Sequence, residues 1–115
     1  MIRDKGSKYV AKGIDSSGKE VSIPSIDYIN LKSYEIHCSD CDLISLEIPE
    51  NITSVWCDYN HLTELYLPKS VRIITCHRNN IKKLDLSDRE IFMIYCDRNV
   101  IGLDEYIGVC DIYLY

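Results

Sequence analysis

The sequence predicts a β-rich solenoid, in which short coils stack so that one strand of each coil joins a parallel sheet. Two observations predict this fold. The first is a repeat marked by Cys38, Cys57, Cys76 and Cys96, which are spaced by 19, 19 and 20 residues. Periods of this length are typical of solenoid proteins. The second is a strict alternation of inward and outward residues around each cysteine, which is the period of a β-strand.

The N-terminal part of the chain is predicted to cap the solenoid, because terminal coils would otherwise expose their core. Residues 9–12 and 21–23 flank the polar segment 13–18, a pattern typical of a β-hairpin. We therefore expect a hairpin over residues 8–24, within a capping segment that covers residues 1–32. Residues 26–31 also resemble the start of a coil but leave no room for a full one. They are either a degenerate coil or a strand of the cap.

The coils follow over residues 33–115, and each begins with a strand. In the second coil Val55 and Cys57 point inward while Trp56 points outward. Pro49 and Pro68 close the first and second coils and favour a return leg outside any strand ladder. The predicted strands centre on residues 36–38, 55–57, 74–76 and 94–96.

Three consecutive coils share one pattern of apolar residues, over residues 33–49, 52–68 and 71–86. The pattern resembles the leucine-rich repeat, whose consensus is L-x-x-L-x-L-x-x-[N/C]-x-L. The short period and the proline after the last apolar pair are similar to the short repeats of bacterial effectors and large DNA viruses. The resemblance covers residues 33–101. It implies a right-handed solenoid of the α/β class with a parallel, concave sheet and little or no α-helix.

The cysteines that mark the repeat replace an inward apolar residue, so we predict a column of buried, reduced thiols. A buried thiol in apolar surroundings is inert, and reduced thiols indicate an intracellular, reducing compartment. The pair Cys38 and Cys41 also matches C-x-x-C, which can bind zinc or carry out redox chemistry. A structural zinc site needs a second close pair, which the sequence lacks. No metal and no cofactor is therefore predicted, and Cys110 receives no role.

A second column occupies the position after each strand, where the consensus has Asn or Cys. A buried amide at this position can bond the backbone groups of the bend, which are costly to leave unpaired. We predict a structural ladder formed by Cys41, Asn60, Asn79 and Asn99 beside the core column of Cys38, Cys57, Cys76 and Cys96.

The last predicted strand carries Val109, Ile112 and Leu114, which restore the strand phase. It forms an edge of the sheet, and exposed strand edges invite pairing. The sequence therefore predicts either a homodimer through this strand or a partner that covers it.

The resemblance implies that a partner protein binds the concave sheet face. Trp, Tyr and Arg are frequent in binding hot spots, and Met adapts to varied surfaces. The alternative is that these side chains only pack on one another as cross-strand neighbours. The predicted partner-binding residues are His37, Trp56, Asp58, Ile73, Thr75, His77, Met93, Tyr95, Arg98 and Tyr113.

Chain length, net charge and the absence of known motifs restrict the classes of function that we expect. The chain has 115 residues, which suits one domain, and a net charge of −5, which disfavours binding to nucleic acid. The chain contains no run of 18 apolar residues, so no membrane span is predicted. The N-terminus is charged, so no secretory signal is predicted. We therefore expect a non-catalytic interaction module that acts inside the cell, either in the cytoplasm of its own cell or in that of a host cell. A self-associating adaptor is the alternative. No catalytic residue is predicted, because neither a phosphate-binding loop nor a Gly-x-Ser-x-Gly motif occurs.

Overall fold

The computed structural model describes residues 7–98, residue 100 and residues 111–114. Within these ranges the chain forms nine strands and a single turn of 3-10 helix, and it contains no α-helix. The elements are β1 (Val10–Asp15), β2 (Glu20–Pro24), β3 (Ile26–Tyr28), the 3-10 turn (Ile29–Leu31), β4 (Ser33–His37), β5 (Leu43–Glu47), β6 (Ser54–Trp56), β7 (Ile73–Thr75), β8 (Met93–Cys96) and β9 (Asp111–Leu114).

Six strands form the main sheet, in the order β3-β4-β6-β7-β8-β9. From β4 to β9 all neighbours are parallel, and residues of equal phase lie side by side, as Ile36 does with Val55 and Val55 with Ile74. The chain therefore winds as a β-solenoid of stacked coils. This confirms the β-rich solenoid with a parallel sheet that the 19-residue period predicts.

The core lies on the inner side of this sheet. Each short strand buries the residue that alternation points inward, and each return leg buries its leucines or isoleucines against it. Val55, Ile74, Leu62 and Leu84 are at most 1% exposed. Because each coil contributes only a few such side chains, the core exists only when coils stack.

The predicted hairpin is confirmed, and it does more than cover one end. Strands β1 and β2 pair antiparallel, and Ala11 and Ile23 belong to the same buried cluster as the coils. Strand β1 also pairs antiparallel with β5, which gives a second sheet of order β2-β1-β5. The close approach explains Gly13, because a Cβ there would lie 2.8 Å from Leu43 Cδ2.

The pairing of β1 with β5 corrects one expectation. The return leg of the first coil is a strand, whereas return legs were expected to stay outside any strand ladder. The later return legs at residues 62–67 and 81–86 form no such strand. The reason is local, since the hairpin supplies a pairing partner to the first coil alone.

Residues 26–31 belong to the cap and not to a degenerate coil. Strand β3 runs antiparallel to β4 and closes that edge of the main sheet. It is held by Asp27, whose buried carboxylate accepts a hydrogen bond from the Lys8 amide at 2.8 Å. The backbone of Ser25 donates in turn to the carbonyl of Tyr9 at 2.8 Å.

A left-handed residue ends the strand segment in each of the first three coils. Asp40, Tyr59 and Arg78 have φ angles of 56°, 57° and 61° and are spaced by 19 residues. This repeated conformation turns the chain sharply from the strand into the bend. It also brings the residue that follows, Asn60 or Asn79, under the neighbouring bend.

Candidate functional site

The outward surface of the main sheet is called the open face, and parallel pairing aligns its residues in columns. The central column is His37, Trp56, Thr75, Tyr95 and Tyr113, since each is the register partner of the next. A second column starts at Glu35 and runs through Ser54, Ile73 and Met93 to Asp111. Both columns have the order that the alternation of the sequence predicts.

Aromatic side chains contact one another in two pairs along the central column. The rings of His37 and Trp56 have centroids 4.5 Å apart and are tilted by 38°. The rings of Tyr95 and Tyr113 stack at 4.3 Å with an angle of 13°. Thr75 separates the two pairs, so the column has two broad aromatic platforms with a small residue between them.

Asp58 organises the middle of the open face. Its carboxylate accepts hydrogen bonds from the Thr75 hydroxyl at 2.8 Å and from the His77 backbone amide at 2.9 Å. The His77 ring lies 3.6 Å from the same carboxylate and meets Tyr59 edge-on at 5.2 Å. Asp58 and His77 side chains are only 14% and 16% exposed, so this cluster is a fixed part of the surface.

Asp97 has the corresponding role two coils further along, but it bonds back towards the N-terminus. Its carboxylate accepts from the backbone amides of Arg78 at 2.9 Å and Asn79 at 3.3 Å. Asp58 thus bonds forward to the third coil and Asp97 bonds backward to it. The two carboxylates hold the bend of the third coil from both sides.

The predicted partner-binding residues differ in how much surface they offer. His37, Arg98 and Tyr113 are exposed, whereas Thr75 is only 5% exposed. The other six are partly buried: Trp56, Asp58, Ile73, His77, Met93 and Tyr95. Thr75 therefore supports the face from beneath and offers little contact area of its own.

Beside the open face, the ladder amides bond the bends together. Asn60 is 4% exposed, and its Oδ1 accepts from the backbone amides of Cys41 at 3.0 Å and Leu43 at 2.9 Å. Its Nδ2 donates to the carbonyls of Cys38 at 3.0 Å and Cys57 at 2.9 Å.

Asn79 repeats this arrangement one coil later. Its Oδ1 accepts from Leu62 at 3.0 Å, and its Nδ2 donates to Cys57 at 3.0 Å and Cys76 at 3.1 Å. Each ladder amide therefore bonds its own strand end and the bend of the preceding coil. Asn99, the third predicted amide, lies outside the described residues.

Cys41 does not take part in the ladder with its side chain. The thiol is exposed and lies 3.4 Å from the carbonyl of Ser39, and only its backbone amide bonds Asn60. The direction of the ladder explains this. A side chain at position 41 would have to reach a preceding coil, and the hairpin occupies that side instead, with Ser16 bonding Asp42.

The four cysteines of the core column are buried and free. Burial in the core raises the pKa of Cys38 to about 12 and that of Cys96 to about 11. Burial likewise raises the pKa values of Cys57 and Cys76 well above the usual range. The thiolate is the nucleophile and the metal ligand, so these thiols are chemically inert near neutral pH.

Residues that could hold a metal ion do not converge in the described ranges, where no three His, Cys, Asp or Glu side chains form a suitable group. Within C-x-x-C, Cys38 is buried while Cys41 is exposed, so the two thiols do not share one environment. Cys110 lies outside the described residues.

Comparisons with protein-family models, with curated proteins and with solved structures found no match to this chain. In the described ranges, no helix combines the length and the apolar character that a membrane span requires. The function therefore has to be argued from the geometry of the chain itself.

Sequence reasoning missed a second set of repeated positions, at the start of the sheet strands. Lys32, Asn51 and Ser70 are spaced by 19 residues, and so are Tyr34, Thr53 and Arg72. These six residues line one depression and are called the strand-start columns. The same 19-residue spacing would have revealed them, but their mixed polarity hides the repeat that the apolar positions display.

Proposed function

We propose that the protein is a non-catalytic interaction module of the leucine-rich-repeat type, and that a partner protein binds its open face. One observation carries the proposal. Parallel register places Trp56, Tyr95 and Tyr113 in a single column on one sheet surface. Aromatic side chains of this kind supply most of the binding energy in many interfaces.

The contacts within the column favour binding over mere mutual packing. Each aromatic pair holds its rings in fixed orientations, yet His37 keeps 45% of its side chain exposed and Tyr113 is 44% exposed. A surface that is already ordered loses less side-chain entropy when a partner binds. The hydrogen bonds of Asp58 extend this order to Thr75 and His77 in the centre of the face.

Crosslinking tests which surface the partner contacts. A photoreactive phenylalanine derivative at Tyr95 should crosslink a protein partner in cells, while the same group at Tyr66 should not. Tyr66 is a matched control, because it is 72% exposed and lies on a return leg away from the sheet. Equal crosslinking from both positions would contradict the proposal.

Affinity measurements with the purified partner complete the test. Trp56→Ala and Tyr95→Ala should each weaken binding by about 10- to 30-fold, since hot-spot aromatics contribute about 2 kcal/mol or more. Tyr66→Ala should leave the affinity unchanged, and far-UV circular dichroism should show that all three variants keep the fold. Full binding by the double variant would refute a role for this face.

The proposal also covers the cellular compartment of the module, the class of its partner and its origin. The reduced core cysteine column supports an intracellular compartment, because structural thiols persist where disulfides do not form. The net charge of −5 supports a partner other than nucleic acid. The short repeat, which resembles those of bacterial effectors and large DNA viruses, supports an origin of that kind and a host-cell partner.

A second candidate function is self-association through β9. Among the described strands β9 stands last in the order of the main sheet, and Tyr113 and Leu114 are 44% and 39% exposed. A second copy could continue the sheet by strand addition. Light scattering distinguishes the two candidates. A dimer that Tyr113→Pro converts to a monomer supports self-association, whereas a monomer at all concentrations excludes it.

A further inference from the structure

A depression of about 590 Å3 lies at the end of the main sheet where the strands begin, opposite the bends that hold the ladder amides. The strand-start columns line it across the first three coils, and Tyr9 and Ile29 of the cap complete it. A volume of this size is in the range of small-molecule sites. None of the residues used by the open face lines this depression.

The charge of this depression is opposite to that of the whole chain. Two of its lining residues, Lys32 and Arg72, are cationic, and none is acidic, although the chain carries a net charge of −5. Among the described residues neither cation forms an ion pair with a carboxylate. The side chains that line the depression therefore carry a formal charge of +2 on a protein whose net charge is −5.

Hydrogen bonds fix part of this cationic surface. One nitrogen of the Arg72 guanidinium donates to the carbonyls of Lys69 at 2.6 Å and Val71 at 3.3 Å. A guanidinium has five N–H groups in a planar fork, so this anchoring orients the group and leaves further donors for an anion. Lys32 is exposed at the opposite side of the depression, two strand spacings or about 10 Å from Arg72 across the strands and two residues earlier in the repeat.

The floor between the two cations is polar, and one wall is apolar. The Ser70 hydroxyl donates to the carbonyl of Ile52 at 2.7 Å, so that floor is fixed, while the Asn51 side chain is exposed beside it. On the side of the cap, Tyr9 and Tyr34 meet edge-to-face at 5.1 Å and Ile29 is 52% exposed. A ligand here would combine an anionic end with an apolar body.

We propose that this depression binds a phosphate monoester carried on an aromatic or apolar body, with Lys32 and Arg72 holding the phosphate and the wall of Tyr9, Tyr34 and Ile29 holding the body. A phosphate monoester fits better than a carboxylate. It carries close to two charges and three acceptor oxygens, so it can bond an ammonium and a guanidinium together. This site is independent of the open face.

Binding is tested by titrating the full chain with phenyl phosphate at constant ionic strength and following backbone amide shifts by NMR. The amides of Tyr34, Thr53 and Ser70 should shift, with a dissociation constant of about 5 mM or tighter. Inorganic phosphate should bind several-fold more weakly, since it cannot use the apolar wall. Phenol should bind more weakly still, because it lacks the phosphate.

Substitutions of Lys32 and Arg72 test whether each of them holds the phosphate. Lys32→Gln and Arg72→Gln should each weaken phenyl phosphate by about tenfold, the value of one charge-assisted hydrogen bond. Lys82→Gln is the matched control and should change nothing, because Lys82 is an exposed lysine on a return leg. Thermal melting checks that Arg72→Gln, which loses two bonds to carbonyls, remains folded, and Lys32→Gln tests the site without that loss.

A further titration, with a short phosphotyrosine peptide, identifies the kind of molecule that carries the phosphate. Tighter binding than that of phenyl phosphate identifies a phosphorylated protein, and equal binding identifies a small aryl or alkyl phosphate. The proposal is overturned if no amide around the depression shifts. It is also overturned if Lys32→Gln binds as well as the wild type, or if inorganic phosphate matches phenyl phosphate.

Discussion

Replacing Asn60 by alanine should destabilise the protein more than any other single change in its bends. The substitution removes four hydrogen bonds of 3.0 Å or shorter, which join Asn60 to Cys41, Leu43, Cys38 and Cys57. Each such bond contributes about 0.5–1.5 kcal/mol net. The expected loss is therefore about 2–6 kcal/mol, out of a total that is about 6–17 kcal/mol for a chain of this length.

Urea unfolding measures this loss. The chain has one tryptophan, Trp56, so its fluorescence reports the unfolding of the second coil directly. With a urea dependence near 1.5 kcal/mol per molar, a loss of about 4 kcal/mol lowers the midpoint by roughly 2–3 M. Far-UV circular dichroism should give the same midpoint if unfolding is two-state.

Two matched variants separate the ladder from a general effect of mutation. Cys41→Ala changes the equivalent position of the first coil, where the side chain is exposed, and should cost well under 1 kcal/mol. Asn79→Ala removes three bonds of 3.1 Å or shorter and should fall just below Asn60→Ala. The reasoning is refuted if Asn60→Ala stays within about 1 kcal/mol of the wild type, or if Cys41→Ala costs as much.

Two further predictions concern pH and packing. Burial raises the pKa of Cys57 well above its ordinary value of 9.0. The unfolded chain therefore releases this proton at a lower pH than the folded chain does. The free energy of unfolding keeps its full value below about pH 9 and falls above it by about 1.4 kcal/mol per pH unit for each buried thiol. Urea midpoints from pH 7 to 10.5 under reductant should show this decline, with Cys57→Ala reducing the slope by about one proton; a flat profile would contradict it. Gly13→Ala should cost about 1–3 kcal/mol, since the new Cβ would lie 2.8 Å from Leu43 Cδ2 and 3.2 Å from the Ser45 carbonyl. Lys12→Ala, which alters an exposed neighbour in the same strand, should have little effect in the same thermal melt.

The parts of the fold that depend on local alternation could be predicted from the sequence. Val55, Trp56 and Cys57 alternate between inside and outside within three residues, and the repeat then fixes which residue of the next coil lies beside each one. The core cysteine column and the central column of the open face follow from these two facts alone. Local phase and repeat length are both visible in a single sequence.

The parts that depend on which coil has which neighbour could not be predicted. Lys12 pairs with Glu47 across 35 residues, and nothing in the first return leg distinguishes it from the later ones except the hairpin beside it. Likewise, Asp58 and Asp97 have the same place in the repeat, yet one bonds forward and the other backward.

The two sides of the first coil show why this solenoid needs a hairpin at its beginning. Each of the two described ladder amides bonds the bend before it, so Asn60 closes the first coil and Asn79 closes the second. The first coil has no earlier bend to close, and its outer side is instead held by Ser16, whose amide donates to the carbonyl of Asp42 at 3.0 Å. A coil that follows another is thus stabilised by a single buried amide, whereas the first coil requires a separate pair of strands.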